Sequence, residues 1–225
     1  MHIPDGFIDL KTSATFAGAA AIGVGAALRG ARKQLDDQSA PLAGLTAVFI
    51  FAVQMLNFPV AAGTSGHLLG GALAAVLVGP YAASLALTVV LLMQGLLFAD
   101  GGLSALGLNI FNMSIVGVWT GYFVFIFIKK FLPKKKSSII IAGALGAFIS
   151  VPMAAAGFVL EYALGGTATF SVTTVLGAMV STHILIGIGE ALITGLTISA
   201  VLATRPDLVF GYKGAKQELE IRTNS

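Results

Sequence analysis

The sequence predicts an all-α membrane protein that crosses the bilayer seven times. Apolar residues make up 56% of the 225-residue chain, whereas charged residues make up only 10%. A soluble domain carries about 25% charged residues, and one of this size could not bury so much apolar surface. Long uncharged stretches alternate with basic clusters, as expected for successive membrane spans. We therefore expect one transmembrane domain over residues 1–225.

The candidate spans follow from the length of each apolar stretch. A span needs about 20 apolar residues to cross a hydrocarbon core of about 30 Å. The stretch at 67–98 is too long for one span, and Gly79-Pro80 breaks it near the middle. A segment at 1–11 precedes the helices, which fill 12–204, and a tail at 205–225 follows them. The predicted spans are 12–28, 41–60, two within 67–98, 108–128, 139–164 and 175–203.

The positions of Lys and Arg predict the orientation. Cytoplasmic loops carry the excess of basic residues. With seven spans, the clusters at 29–33, 129–136 and 205–222 all fall on the cytoplasmic side, and only Lys11 lies outside. With one bent span over 67–98, the first two clusters would lie on opposite sides. The N-terminus is therefore expected outside and the C-terminus inside. The net charge of +3 requires no nucleic-acid partner, and contact with anionic lipid stays open.

The span before the Gly79-Pro80 break is short. Residues 67–79 would form a helix of roughly 20 Å, which is less than the core thickness. We therefore expect His67 in a depression below the outer surface, after a loop of small residues at 61–66. Non-helical backbone at membrane depth is tolerated where it lines a protein cavity. Ser65 in this loop is a candidate for supporting His67.

The Met1-His2 pair has the chemistry of a metal chelate. The sequence lacks a basic region at its start, so we expect no signal peptide and a mature terminus at Met1. The amine and the His2 amide close a five-membered ring with a metal, and the amide and His2 Nδ1 close a six-membered one. His67 is the candidate for the fourth position, which gives a nitrogen set suited to Ni²⁺ or Cu²⁺. Alternatively, His2 is a loose end residue and His67 only neighbours a helix start.

Other polar residues in the predicted spans have open roles. His183 lies about eight residues into the last span, where it either bonds a neighbouring helix or supports or gates the site. Glu190 lies deeper, and it either pairs with an interior partner or takes part in transport. Asn109 and Asn112 lie at the outer end of their span and are candidates for orienting site residues.

Sequence signatures of an enzyme are absent from the chain. There is no Walker A sequence and no HExxH, and no nucleophile–base pair stands out. We therefore expect a transport subunit, with any ATP hydrolysis in separate subunits. Two other functions stay open from the residues alone. One is a self-sufficient secondary metal/proton transporter with Glu190 as proton carrier, and the other is a purely structural membrane subunit.

Three segments carry the pattern of a known family. They are MHIPDGF at 1–7, GTSGHLLG at 63–70 and NIFNM at 109–113. Together they resemble the CbiM/NikM proteins, the substrate-binding S components of cobalt and nickel energy-coupling factor (ECF) transporters, and the resemblance covers essentially the whole chain. It implies a six-helix S-component core with one extra N-terminal helix in the plasma membrane of a prokaryote.

The resemblance also implies a site and partners. Met1, His2 and His67 would hold Ni²⁺ or Co²⁺ in a square-planar nitrogen set, and the Pro4-Asp5 sequence favours nickel. The partners would be a transmembrane coupling (T) subunit, two ATPase subunits and often a small accessory membrane subunit. Ala43 and Ala47 match the AxxxA motif of the helix that contacts the coupling subunit.

Overall fold

The computed structural model describes residues 1–35, 39–60 and 64–212, without the side chains of residues 39, 58–60, 64 and 65. The architecture is all-α, with one short β-hairpin among the described residues. The elements in chain order are α1 (Leu10–Gln34), α2 (Ser39–Gln54), β1 (Phe58–Val60), β2 (Thr64–Gly66), α3 (Gly71–Val78), α4 (Pro80–Leu97), α5 (Leu106–Ile110), a π-helical segment (Phe111–Gly117), α6 (Val118–Phe131), α7 (Lys136–Gly165), α8 (Val172–Thr204) and a 3₁₀ turn (Pro206–Leu208).

The helices have the length and composition of membrane spans. Among the described residues, five are long and apolar enough to cross a bilayer: α1, α4, the continuous helix 106–131, α7 and α8. Helix α2 is apolar but shorter, and α3 has only eight residues. Large apolar side chains stay exposed along one stripe of α8, at Leu185, Ile188, Leu192 and Leu196. This outward stripe is what a lipid-facing helix requires, so the chain is a multi-pass membrane protein.

The predicted break at Gly79-Pro80 is confirmed. Helix α3 ends at Val78 and α4 begins at Pro80. Gly79 has φ = +85°, a backbone conformation that residues with a Cβ rarely adopt. Pro80 has no N–H to donate and therefore suits the first position of a helix. Within the described residues, a helical segment lies at each of the seven predicted positions, and five of these helices are long and apolar enough to cross a bilayer.

Two predicted boundaries were wrong. Helix α2 ends at Gln54 instead of Val60, because the chain turns into β1, which pairs antiparallel with β2. Residues 67–70 are not helical, so the helix that follows starts at Gly71. Of the loop predicted at 61–66, residues 61–63 lie outside the described part of the chain, as does the predicted tail from 213 onwards.

Helix α3 lies at the centre of the bundle. All eight of its residues are buried, and it contacts α2, α4, α6, α7 and α8. Small side chains make this packing close: a Cβ on Gly121 of α6 would approach the Cβ of Ala72 to 2.6 Å. Because α3 is surrounded by protein, the non-helical residues 67–70 before it are held at its buried end. The fold thereby provides a protein-lined depth for His67.

Candidate metal site

The N-terminal segment is folded into the protein instead of hanging free. Met1 and Ile3 are each only 1% exposed, and His2 is 4% exposed. Asn109 Oδ1 accepts a hydrogen bond from Ile3 N at 2.8 Å, and Ile3 O accepts one from Gly102 N at 2.8 Å. Asn109 also donates from Nδ2 to Ile3 O at 3.4 Å. The predicted orienting residue Asn109 therefore contacts the backbone directly after His2.

A second set of contacts fixes the rest of this segment. Asp5 Oδ1 accepts hydrogen bonds from Ser104 N at 2.7 Å and from Ser104 Oγ at 2.6 Å. These bonds hold the pKa of Asp5 below its usual value. Farther along, Asp9 N donates to Gly165 O at 2.7 Å and Thr167 N donates to Phe7 O at 3.1 Å. Residues 3–9 are thus bound to the loop after α4 and to the turn after α7.

The structure brings Met1, His2 and His67 together. The ring centroids of His2 and His67 lie 4.6 Å apart, with a 30° angle between the ring planes. His67 is fully buried. The terminal amine of Met1 interacts electrostatically with both imidazoles and with His183. No three His, Cys, Asp or Glu side chains among the described residues form a metal-binding group; the candidate set is two imidazoles with the terminal amine.

Hydrogen bonds determine which imidazole nitrogens are available. His67 Nδ1 lies 2.8 Å from Leu68 O, and because a carbonyl only accepts, Nδ1 carries the proton. The lone pair of His67 is therefore on Nε2, which is buried and bonds no described group. His2 Nε2 lies 3.5 Å from Asp100 Oδ2. A carboxylate beside Nε2 favours the proton there, which leaves Nδ1 of His2 for a chelate with its own backbone.

Burial keeps the terminal nitrogens unprotonated. Desolvation lowers the pKa of the Met1 amine well below its ordinary value of 8.0. Desolvation, followed by repulsion from the amine, lowers the pKa of His2 from 6.5 to about 2. Neutral nitrogens are the form that a metal ion requires. The folded terminus thus presents ligands in the state that can bind a cation.

Asp100 lies at the candidate site and was not predicted from the sequence. Its carboxylate lies beside His2, acts electrostatically on the Met1 amine, and accepts a hydrogen bond from Asn57 Nδ2 at 3.0 Å. Its side chain is 17% exposed, so it brings negative charge to the rim of the site. The signal was available, because the seven-span topology puts the loop after α4 on the same side as Met1.

His183 and Asn112 occupy different surroundings. His183 is fully buried on α8, its Nδ1 lies 2.7 Å from Met179 O, and it is near enough to His67 to interact with it electrostatically. Asn112 lies in the π-helical segment, where its Nδ2 donates to Glu161 Oε2 at 2.6 Å. Glu161 is a buried carboxylate that the sequence interpretation did not consider. His183 is thus next to the candidate metal site, whereas Asn112 pairs with α7.

The other residues predicted from the sequence lie in β2, α8 and α2. Ser65 lies in β2 opposite Pro59, and its side chain is outside the described residues. Glu190 accepts two backbone hydrogen bonds from the segment after His67. Ala43 and Ala47 are half-buried against the core on α2.

The chain matches a known protein family over most of its length. The family described as "Cobalt uptake substrate-specific transmembrane region" matches residues 2–208. A putative fused nickel transport protein NikMN of Archaeoglobus fulgidus is 40% identical, over 93% of this chain and 68% of that protein. The cobalt transport protein CbiM of Sorangium cellulosum is 34% identical, over 93% of this chain and 94% of that protein.

Two solved structures of transition metal transporters have a fold similar to that of this chain. The crystal structure of a truncated transition metal transporter superposes with a TM-score of 0.82 at 31% identity, over 90% of this chain and 99% of that one. A second transition metal transporter gives a TM-score of 0.83 at 29% identity, over 97% of this chain and 99% of that one. This chain therefore belongs to the CbiM family of cobalt and nickel transport proteins.

Proposed function

We propose that this chain captures Ni²⁺ outside the cell, as the substrate-binding S component of an ATP-driven ECF uptake transporter in a prokaryotic plasma membrane. The observation that carries the proposal is the buried Met1 amine, held beside the imidazoles of His2 and His67. A buried amine beside two imidazoles is poorly suited to a structural role, because burial strongly disfavours its charged form and the nearby Asp100 carboxylate offsets this only in part.

The chelate uses four nitrogens of three residues. The Met1 amine, the His2 amide and His2 Nδ1 occupy three positions of a plane, and His67 Nε2 occupies the fourth. Loss of the amide proton makes the amide nitrogen a ligand, and this proton leaves to solvent. A planar set of nitrogen ligands suits Ni²⁺ or Cu²⁺, whereas Mg²⁺ and Ca²⁺ prefer octahedral oxygen ligands. Co²⁺ is the second substrate of the proposal, since relatives carry both the nickel and the cobalt names.

The proposal includes an orientation and partners. The chain crosses the membrane seven times with Met1 outside, because this topology puts every Lys and Arg except Lys11 inside. Coupling and energy come from a T subunit, two ATPase subunits and an accessory membrane subunit.

The half-buried Ala43 and Ala47 lie beside Gly44, which has open space at its Cβ position, and Leu45, which is exposed. This part of α2 is the proposed docking face for the T subunit.

Metal analysis of the purified protein tests the proposal. We expect about one nickel per chain after incubation with Ni²⁺, and a yellow, diamagnetic complex typical of square-planar nitrogen ligation. A paramagnetic complex, or no bound nickel, would contradict the ligand set. Vesicles that contain this chain alone and no ATP should not accumulate nickel. Accumulation there would instead support a self-sufficient secondary transporter.

Nickel affinity should fall as the pH is lowered from 8 to 5.5. The released terminus binds protons with ordinary pKa values of 8.0 for the amine and 6.5 for His2, whereas the buried terminus has lowered pKa values. The buried, binding-competent form is therefore fully favoured above these ordinary values and is lost below them. Protonation of the amine and of His2 alone lowers the affinity by about 10³-fold over this range, and release of the amide proton lowers it further, so we expect a drop of at least about 10³-fold by competition titration. Constant affinity over this range, with the fold intact by circular dichroism, would refute the amine as a ligand.

A further inference from the structure

Two buried side chains hold the segment that carries His67. Residues 67–70 lie between β2 and α3 without a backbone ladder of their own. Glu190 of α8 accepts a hydrogen bond from Leu69 N on Oε2 at 2.8 Å and one from Gly70 N on Oε1 at 2.5 Å. Both oxygens of one carboxylate are thus used on two successive amides. The Glu190 side chain is almost completely buried.

Helix α2 holds Leu69 of this segment through its carbonyl oxygen. Gln54, the last residue of α2, donates from Nε2 to Leu69 O at 2.7 Å. Gln54 is fully buried and Leu69 is 1% exposed. The N–H and C=O of Leu69 therefore bond to side chains that are 121 and 15 residues away in sequence. Buried backbone groups that are held in this way have no water to replace a lost partner.

This arrangement determines the direction of the His67 ring. His67 Nδ1 donates to Leu68 O, so the position of the 68–69 backbone sets both the tautomer and the ring orientation. Gly70 adopts φ = +76°, which completes the turn from this segment into α3. A shift of Leu69 and Gly70 would carry Leu68 O with them. The lone pair of His67 Nε2 would then move relative to His2.

We propose that Glu190 is a positioning residue of the metal site, with Gln54 as its counterpart, and that together they aim His67 Nε2 at the ion. The inference rests on the proposed nickel capture. Its chemistry needs a carboxylate, because only a carboxylate offers two acceptor oxygens to two neighbouring N–H groups. A glutamine at this position would satisfy one N–H and place its own NH₂ against the other. Glu190 does not contact the ion in this proposal; it acts through the backbone.

The test compares Glu190→Gln with Glu161→Gln. Glu161 is a matched control, because it is also a fully buried carboxylate in the bundle and bonds the side chain of Asn112 instead of residues 67–70. Positioning partners of metal ligands typically change affinity by about 10–100-fold. We expect Glu190→Gln to weaken nickel binding by that factor, with the absorption maximum of the complex retained because the ligands stay the same. Glu161→Gln should change nickel affinity by less than about twofold.

Amide hydrogen exchange of the metal-free protein gives a readout that does not depend on nickel. Exchange at Leu69 and Gly70 should become faster in Glu190→Gln than in wild type, and should stay at the wild-type rate in Glu161→Gln. Unchanged exchange, wild-type affinity in Glu190→Gln, or equal loss of affinity in both variants would each overturn the positioning role. If wild type itself binds no nickel, the proposed function fails, and the exchange data still decide whether Glu190 holds the segment.

A second variant keeps the proposal testable if Glu190→Gln does not fold. Gln54→Leu removes the hydrogen bond to Leu69 O while nearly conserving side-chain volume. We expect nickel affinity to fall by about tenfold and Leu69 exchange to accelerate. Wild-type values for both quantities in Gln54→Leu would overturn the proposal.

Discussion

A Gly-Ser extension ahead of Met1 should abolish tight nickel binding. The amine of Met1 would become a peptide nitrogen, and the new amine would lie two residues farther from His2. Because Met1 is 1% exposed, the packed site has no space for an added chain, and the terminus would have to leave it. We expect affinity to fall by at least about 100-fold, or about 3 kcal/mol, by competition titration with a chelator.

The control carries the same two residues after Ser225. Its composition is identical to that of the extended variant, and its N-terminus is untouched. It should bind nickel as wild type does, with the same absorption spectrum. Nickel binding of wild-type strength in the N-terminal extension would show that the Met1 amine is not a ligand.

His67→Ala should have a comparable effect through a different ligand. The three nitrogens of Met1 and His2 remain, and water replaces the imidazole in the fourth position. Water is a weaker-field ligand than imidazole, so the absorption maximum should move to longer wavelength as affinity falls by about 100-fold or more. Binding and spectrum are measured in the same titration.

His183→Ala is the matched comparison for that variant. It also removes a buried imidazole close to the Met1 amine, but one whose Nδ1 is engaged with its own helix. We expect a loss of at most about tenfold and an unchanged absorption maximum. A larger loss in His183→Ala than in His67→Ala would reassign the fourth ligand to His183.

Most of the helices could be predicted because a long apolar stretch is what a membrane span requires. The break at Gly79-Pro80 could also be predicted, since Gly adopts positive φ at little cost and Pro lacks the N–H that a continuing helix needs. The β-hairpin of Phe58–Val60 with Thr64–Gly66 was not readable. Pro59 and the small residues at 61–66 indicate a helix end and a loop, but the sequence pattern does not show that the segments on either side pair as strands.

Part of the candidate site could also be predicted from the sequence. His2 and His67 are rare residue types in an apolar chain, and the charge pattern placed both on one side. The side of the membrane on which Asp100 lies followed from the span count. Its contact with His2, and the contact of Gln54 with Leu69, depend on how α2 and the loop after α4 pack, which sequence spacing does not show. Glu190 was recognised as an intramembrane carboxylate. Its partners are the backbone N–H groups of Leu69 and Gly70, and almost every residue has such a group, so the sequence does not single them out.

Helix α3 has a consequence for synthesis of the protein on the ribosome. Its eight residues measure about 12 Å, too short to hold a place across the bilayer alone. It must therefore enter the membrane with α4 as one helical hairpin, and its shielding by α6 and α7 comes only when those helices have been made. Glu190 emerges later still, with α8. The proposed metal site would consequently be complete only near the end of translation.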